Sequence, residues 1–211
     1  MKKTFIGTAS LQKPYMLHYH AVDNSRLQYE QEVDNPLYLL IRGYAEKGDT
    51  VKIIVCVTEN DFAKENVRIM KDEFNKIGEE IGFVPEVVEL MTPNDQGLQS
   101  HASLLSNLVK LCGEDQLLYV DVTYGTKPIP IVYFNFLRYM TRVRNCGIGC
   151  VCYGYVLFKG KDNPDLENIR IYDISPLYKM TTIIDYLGEA DSKIQDTDRL
   201  FQNLIDGARD M

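Results

Sequence analysis

Residues 118–130, "LYVDVTYGTKPIP", decide how this chain is expected to fold. Four apolar residues with little alternation precede Asp121, which is typical of a strand buried on both faces of a sheet. Pro128 suits the first position of a helix, because the N–H that proline lacks would have no partner there. The stretch therefore predicts a buried strand, a tight turn and a helix over residues 128–143.

The turn between this strand and this helix has the composition of an anion site. Gly125 lets the backbone approach a ligand or adopt a positive φ. Thr123 supplies a hydroxyl and Lys127 a positive charge. Thr126 or Lys127 lies near the helix N-cap, where unpaired N–H groups and the positive end of the helix dipole face the loop. The turn suits a phosphate, although a well-capped helix after a tight turn has the same composition.

Two familiar nucleotide-binding patterns are missing from the sequence. The P-loop pattern G-x-x-x-x-G-K-[ST] does not occur. The first predicted strand is followed by "GTASLQ", which lacks the G-x-G-x-x-G pattern of dinucleotide-binding proteins. Neither P-loop nucleotide hydrolysis nor NAD chemistry is indicated.

The apolar runs along the chain alternate between strand and helix patterns. Strands are predicted at 4–9, 51–58, 83–91, 116–123, 149–158 and 169–175, and helices at 35–48, 61–81, 98–112, 128–143 and in the tail 176–211. Segment 11–32 is polar and tyrosine-rich and is predicted to be a long loop or a hairpin. This order predicts an α/β fold: a Rossmann-like open, mainly parallel sheet flanked by helices, with a C-terminal β-hairpin, its last strand at the sheet edge, and a helical tail. Ligands of such sheets bind beyond the carboxyl ends of the strands, so the loops after the first and fourth strands matter most.

Composition and charge exclude several classes of function. The chain has 211 residues, of which 45% are apolar and 25% charged, and it contains no apolar run long enough to span a membrane. We therefore expect a cytoplasmic protein with no membrane partner. A net charge of −7 without a Lys/Arg-rich block argues against long nucleic acid but not against a small anion. The five cysteines are interpreted as buried side chains, and the three histidines form no ligand pair near them, so no metal or cofactor is predicted.

The helix at 128–143 is apolar on nearly every side, which indicates burial on several faces. One face is expected to pack on the sheet and another on a second subunit, so a homodimer through this helix is predicted. Two-fold symmetry would bring two copies of the "TYGTK" loop together. The alternative is that the chain's own tail covers the second face.

The segment "DVTYGTKPIPIVYFNFLRYM", residues 121–140, resembles a motif of CARF domains, the CRISPR-associated Rossmann-fold sensors of type III systems. Their motif is an aspartate–aliphatic–threonine–histidine–glycine segment followed by a long apolar helix, and Tyr124 stands where many members carry histidine. The later "VCYGYVLF" and "IRIYDISPLYKMTTIIDYL" resemble the strand, hairpin and helix of that family. The resemblance covers most of residues 1–190 in the order of elements.

The resemblance implies a homodimeric sensor that binds a cyclic oligoadenylate of four or six adenylates across its two-fold axis and regulates an attached or partner effector in antiviral defence. By the same resemblance, the ligand-binding residues are Thr8, Ala9, Ser10, Thr123, Tyr124, Gly125, Thr126, Lys127 and Tyr153. Helix N-termini would take the phosphates, and aromatic and polar side chains would hold the bases.

The alternative implied by the family is a ring nuclease, which cleaves the cyclic oligoadenylate without a metal by attack of a ribose 2′-OH on its own phosphate. Ser10, Thr123 and Lys127 would then be the catalytic residues, positioning the ribose and stabilising the developing charge. The sequence offers no strong general base near either loop. His18 and His20 are candidates only if segment 11–32 folds over the pocket.

The predicted organisation is a ligand-binding domain over residues 1–187, followed over residues 188–211 by a C-terminal helix or the start of a linker. That tail is too short for an effector domain, so a piece of a longer protein is favoured over a stand-alone sensor. A transcription regulator is not indicated, because the acidic tail contains no basic helix-turn-helix. The sequence does not predict the size of the ring.

Overall fold

The computed structural model describes residues 1–160, 163–189 and 198–203, and the chain divides into two units, Met1–Ile174 and Ser175–Met211. The strands are β1 (Lys2–Thr8), β2 (His20–Ala21), β3 (Thr50–Thr58), β4 (Pro85–Thr92), β5 (Leu117–Asp121), β6 (Gly147–Phe158) and β7 (Pro164–Asp173). The helices of the first unit are α1 (Leu37–Tyr44), α2 (Asp61–Ile81), α3 (Leu98–Leu111) and α4 (Ile129–Val143), with a 3₁₀ turn at Ser25–Leu27. The second unit contains α5 (Ser175–Glu189) and a helical stretch at 198–203. Helix α5 runs across the predicted boundary after residue 187, and the predictions for residues 190–197 and 204–211 lie outside the described residues.

The seven strands form one sheet in the order β2-β7-β6-β5-β1-β3-β4. Every neighbouring pair is parallel except β6 and β7, which form the antiparallel hairpin at the C-terminal side of the sheet. Because helices connect the parallel strands, the predicted fold class, a Rossmann-like open sheet flanked by helices, is confirmed.

Two local features differ from the sequence-based expectations. Strand β7 does not lie at the edge, because β2 pairs with it in parallel through His20 and Arg170. Helix α1 ends at Tyr44 rather than at Gly48, although the Asn35 side chain does accept a hydrogen bond from the Leu37 N–H at its start. A two-residue strand inside a polar segment has too short a pattern to be seen in the sequence.

Helices cover both faces of the sheet. Phe5 of β1 belongs to the apolar cluster that α1 and α2 form with the sheet, and its ring stacks on Tyr119 of β5 at 4.7 Å. Thr8 lies three residues further along β1 and hydrogen-bonds Tyr133 of α4 at 2.7 Å. Since successive side chains of a strand face opposite sides, α4 packs on the face opposite to α1 and α2.

Helix α4 buries most of its apolar residues against the protein's own core. Phe136 is 0% exposed, and Ile129, Val132, Leu137 and Met140 are also buried. Ile131 and Val143 remain exposed, so the described residues leave one apolar face of this helix uncovered.

All five cysteines are buried and none forms a disulfide, as the sequence predicted. Within the described ranges, no helix combines the length and the apolar character needed to cross a membrane.

Candidate functional site

The candidate site lies where the carboxyl ends of β1, β5 and β6 meet. The strand order reverses between β1 and β5, since β3 and β4 extend the sheet on one side and β6 and β7 extend it on the other. Ligands of open α/β sheets bind at such a reversal. The loops after β1 and β5 therefore border the position where the fold favours a ligand.

A pocket of about 370 Å³ opens at this edge of the sheet. Its walls come from the segment after β1, the loop after β5 and the second half of β6. They consist of Ser10, Leu11, Gln12, Lys13, Pro14, Tyr15, Leu17, Tyr19, Thr123, Tyr124, Gly125, Tyr153, Gly154, Val156 and Phe158. The first part of segment 11–32 thus forms one wall of the pocket.

Asn66 of α2 holds the segment after β1 against the rest of the protein. Its side-chain amide donates to the backbone oxygens of Ser10 and Gln12, each at 2.9 Å. Asn66 is buried, and a buried amide with both hydrogen bonds made fixes the backbone that accepts them. A residue more than fifty positions away in the chain therefore sets the path of this wall.

The far wall of the pocket is aromatic. The ring centroids of Tyr15 and Phe158 lie 5.8 Å apart with a tilt of 58°. In β6 of the sheet, Gly154 lets Pro36 and Tyr19 approach closely, because a Cβ there would lie only 2.8 Å from Pro36 Cγ and 3.0 Å from Tyr19 Cε1. Aromatic faces at such spacing can stack on a planar ligand.

The loop after β5 carries a run of backbone N–H groups that no described residue engages. The N–H groups of residues 124–127 donate no hydrogen bond within the described part of the chain. Gly125 adopts a φ of 110°, which only glycine adopts without strain. Successive N–H groups in a turn of this kind form a concavity that binds anions.

The first turn of α4 supplies fewer donors than the sequence suggested. Pro128 and Pro130 have no N–H group. The Ile129 N–H already donates to the Thr126 oxygen, and the Ile131 N–H to the Pro128 oxygen, both at 3.0 Å. The donors available for an anion therefore lie in the loop before the helix, where the helix dipole still favours negative charge.

Thr123 and Asp121 form a tight polar pair at the floor of the pocket. The Thr123 hydroxyl donates to Asp121 Oδ1 at 2.5 Å, and the Thr123 N–H donates to the same oxygen at 2.9 Å. The Gly154 N–H donates to Thr123 Oγ1 at 2.7 Å. Asp121 is fully buried, and its Oδ2 has no hydrogen-bond partner among the described residues. Burial raises the pKa of the Asp121 carboxyl to about 6, although hydrogen bonds from Thr123 and Cys152 lower it.

Three tyrosines near the pocket, the buried Tyr19 and Tyr133 and the half-buried Tyr124, are neutral hydroxyls at physiological pH. Burial raises the pKa of Tyr19, Tyr124 and Tyr133 above the ordinary value for tyrosine. The Tyr124 hydroxyl donates to the backbone oxygen of Asp34 at 3.1 Å, which anchors the loop after β5 to the segment before α1.

Five of the predicted ligand-binding residues lie together in the pocket lining: Ser10, Thr123, Tyr124, Gly125 and Tyr153. Thr8 and Ala9 are buried behind them, and a Cβ at Gly125 would lie 3.3 Å from Thr8 Cγ2. Thr126 lines a separate small cavity of about 20 Å³ beside Thr58 and Thr92. Lys127 is exposed on the loop and does not contribute to the pocket wall that the described residues form.

The two histidines proposed as possible catalytic groups lie elsewhere on segment 11–32. His18 Nε2 lies 3.0 Å from the backbone oxygen of Tyr29, and its ring centroid is 4.7 Å from that of His20. Neither side chain belongs to the described lining of the pocket. Segment 11–32 reaches the pocket with other residues.

Ten of the fifteen residues in the described pocket lining are not among the predicted ligand-binding residues. The most important of them are Lys13, the basic residue of this lining, and Tyr15 and Phe158, which form its aromatic wall. The sequence offered one sign of these residues, the succession of a lysine, a proline and a tyrosine at residues 13–15. Proline restricts the backbone of a loop and so fixes the positions of the residues on either side of it.

The charge of the pocket is opposite to that of the protein. The described lining contains one lysine and no aspartate or glutamate, whereas the chain carries a net charge of −7. Lys13 and Lys127 form no ion pair within the described ranges, so their charges are available to a ligand. No group of three or more His, Cys, Asp and Glu side chains in the described part of the chain is placed to hold a metal ion.

No protein-family model matches this chain, and no curated protein sequence matches it.

Proposed function

We propose that this pocket binds a cyclic oligoadenylate and that the chain is the homodimeric sensor domain of a type III CRISPR ancillary protein. The observation that carries the proposal is the run of four unused N–H groups at residues 124–127 beside a pocket with no acidic lining among the described residues. Phosphate groups of the ring would bind to these N–H groups, to the Ser10 hydroxyl and to the lysine amines.

The shape and the walls of the pocket favour a nucleotide over inorganic phosphate. A volume of about 370 Å³ is within the usual range for small organic ligands and far exceeds one phosphate. Tyr15, Tyr153 and Phe158 offer aromatic faces on which an adenine can stack. One protomer would therefore hold part of the ring, and a second copy of the pocket would hold the symmetry-related part.

Calorimetric titration with cyclic tetra-adenylate and cyclic hexa-adenylate tests this function, with linear tetra-adenylate as the control. We expect one of the two rings to bind with a stoichiometry of one ring per two chains. Absence of binding by both rings, or equal binding of the linear control, would contradict the proposal.

A sensor is preferred to the alternative, a ring nuclease, because the described pocket lining lacks an obvious group to take the proton of a ribose 2′-OH. His18 and His20 do not line the pocket, and Lys127 is a donor when charged. Incubation of labelled ring with the protein, followed by gel electrophoresis, separates the two functions. We expect intact ring; conversion to linear product would establish the nuclease.

Lysine replacements should weaken ring binding without changing the fold. Lys127→Ala and Lys13→Ala are each expected to reduce affinity roughly tenfold or more, about 1.4 kcal/mol, because each removes a charge-assisted contact with phosphate. Lys110→Ala, near the end of α3 and away from this pocket, is the matched control and should leave affinity unchanged. Calorimetry measures all three variants. Wild-type affinity of both Lys127→Ala and Lys13→Ala would count against this phosphate site.

The homodimer is proposed to form through the outward face of α4. Ile131, Tyr139 and Val143 are 64%, 40% and 59% exposed and recur at spacings of eight and four residues, so they share one face of the helix. An exposed apolar stripe of this kind is typical of a surface that another chain covers.

Ile131→Glu should weaken the dimer and preserve the fold, because the side chain lies outside the core. We expect the dimer dissociation constant, measured by sedimentation, to rise about tenfold or more. Val84→Glu is the matched control, an exposed apolar residue outside α4. Phe136→Glu should instead unfold the chain, since a buried phenylalanine becomes a charge, a change of more than about 4 kcal/mol. A dimer unaffected by Ile131→Glu contradicts this interface.

A further inference from the structure

The hydroxyl of Thr123 has its single proton already committed. A threonine hydroxyl has one proton to donate and two lone pairs to accept. A carboxylate oxygen only accepts, so the short bond to Asp121 Oδ1 uses the proton. The Gly154 N–H occupies one lone pair from a distance of 2.7 Å. Thr123 therefore retains one lone pair and no proton for whatever enters the pocket that it lines.

At neutral pH the Asp121 carboxylate is mostly ionised and can only accept, so the Thr123 hydroxyl keeps its proton directed at Asp121. Its pKa of about 6 is set by burial against the hydrogen bonds that it accepts. The titratable groups that face it are Cys152 from β6, Tyr124 from its own loop, Tyr133 from α4 and Tyr19 from the segment after β1. Burial raises the pKa of all four, so all are neutral near pH 7 and none competes as a charged donor.

Ser10, in the segment after β1 that lines the same pocket, can donate a hydrogen bond where Thr123 can only accept one. Its Oγ accepts a hydrogen bond from the Gln12 N–H at 3.3 Å, and its own proton has no acceptor among the described residues. Ser10 can therefore donate to a phosphate oxygen, which is an acceptor. The remaining lone pair of Thr123 would repel the same oxygen. The two hydroxyls of the pocket are consequently suited to different groups of one ligand.

We infer that Thr123 recognises a hydrogen-bond donor of the ligand, and that Asp121 acts as the positioning residue that fixes this polarity. The inference rests on the proposed function for the identity of the ligand. In a cyclic oligoadenylate the donors are the ribose 2′-OH and the exocyclic amine of adenine, and both offer the same chemistry to a lone pair. The 2′-OH is the group that distinguishes RNA from DNA, so recognition of it would exclude deoxynucleotides.

Calorimetry at pH 7.5 with three rings tests the inference and separates the two donors. The rings are whichever of cyclic tetra- and hexa-adenylate binds, its all-2′-deoxy analogue and the cyclic oligoinosinate of the same size, which replaces the exocyclic amine with an acceptor. We expect the wild type to discriminate about tenfold or more against one analogue, the deoxy ring if the ribose is recognised and the inosinate ring if the base is. Equal affinity for all three rings would overturn the inference.

Four comparisons test whether the discrimination comes from the polarity of Thr123 rather than from packing. Thr123→Val should abolish the discrimination, and Thr123→Ser should restore it. Ser10→Ala should weaken all three rings alike. At pH 5.5 Asp121 is mostly protonated and its Oδ1 accepts more weakly, so the preference of the wild type should be smaller than at pH 7.5. Discrimination that survives in Thr123→Val overturns the inference.

A measurement without ligand keeps this inference separate from the proposed function. The Thr123 hydroxyl proton should appear in the NMR spectrum at pH 7.5 as a slowly exchanging downfield resonance that is absent from Thr123→Val. It should shift with the Asp121 carboxyl carbon at a midpoint near 6. If it does so and no ring binds, the ligand is wrong and the polarity of Thr123 stands. If no such proton exists, the inference fails whatever the rings do.

Discussion

Replacement of Gly125 by valine is expected to reduce ring binding about a hundredfold or more, the loss of roughly two charge-assisted hydrogen bonds. Gly125 has a φ of 110°, and a β-branched residue in that conformation is strained by about 1–3 kcal/mol. The new Cβ would also lie 2.9 Å from Ile129 Cδ1 and 3.3 Å from Thr8 Cγ2. The loop must move to relieve both, and the N–H groups of residues 124–127 move with it.

Gly113→Val is the matched control for the Gly125→Val substitution. A Cβ at Gly113 meets no atom within 4 Å, and Gly113 is not among the residues with a positive φ. Calorimetry should give wild-type affinity for Gly113→Val and a large loss for Gly125→Val, while circular dichroism at the assay temperature shows both to be folded. Retention of wild-type binding by a folded Gly125→Val would mean that the phosphates bind elsewhere.

Most strands and helices were predictable because the residues that define each of them lie within it or next to it. Strands β3 and β5 are dense in β-branched and apolar residues, and helix α2 was predicted with its observed bounds. The Asn60 side chain accepts from the N–H groups of Phe62 and Ala63, and Gly82 ends the helix with a φ of 98°. Such end signals lie within a few residues of the element that they define. Strand β2 has no comparable signal and forms only because β7 is present to pair with it.

The candidate site was predictable only where one loop supplies it. Residues 123–127 follow a buried strand, so their position at the carboxyl edge of the sheet follows from the fold class. Lys13 and Tyr15 reach the pocket because Asn66 holds the backbone of residues 10–12, a contact between segments far apart in the chain. Likewise, the N–H groups of residues 124–127 are unused because the backbone hydrogen bonds of the turn leave them out. The pattern of these hydrogen bonds cannot be predicted from composition.

Asp121→Asn is expected to stabilise the protein at neutral and alkaline pH. The pKa of Asp121 is about 6 in the folded chain, against an ordinary value of 3.8 for an exposed aspartate, so the folded state favours the neutral carboxyl. As the pH rises from about 4 to about 6, the unfolded chain loses this proton first, and the free energy of unfolding of the wild type falls by about 1.4 kcal/mol for each pH unit. Asparagine is never ionised and escapes this loss. The variant should therefore be more stable than the wild type by up to about 3 kcal/mol above pH 6.

Urea unfolding of both proteins at pH 7.5 and at pH 4 measures the difference, which should be large at the higher pH and close to zero at the lower one. Asp72→Asn, a carboxyl on the outer side of α2, is the control and should show little difference at either pH. A gain that is independent of pH would reflect packing rather than ionisation, and a loss at pH 7.5 would mean that the folded chain stabilises the carboxylate. The Oδ1 of asparagine is likewise only an acceptor, so the stabilised variant should still take the Thr123 hydroxyl proton and keep the preference between the rings.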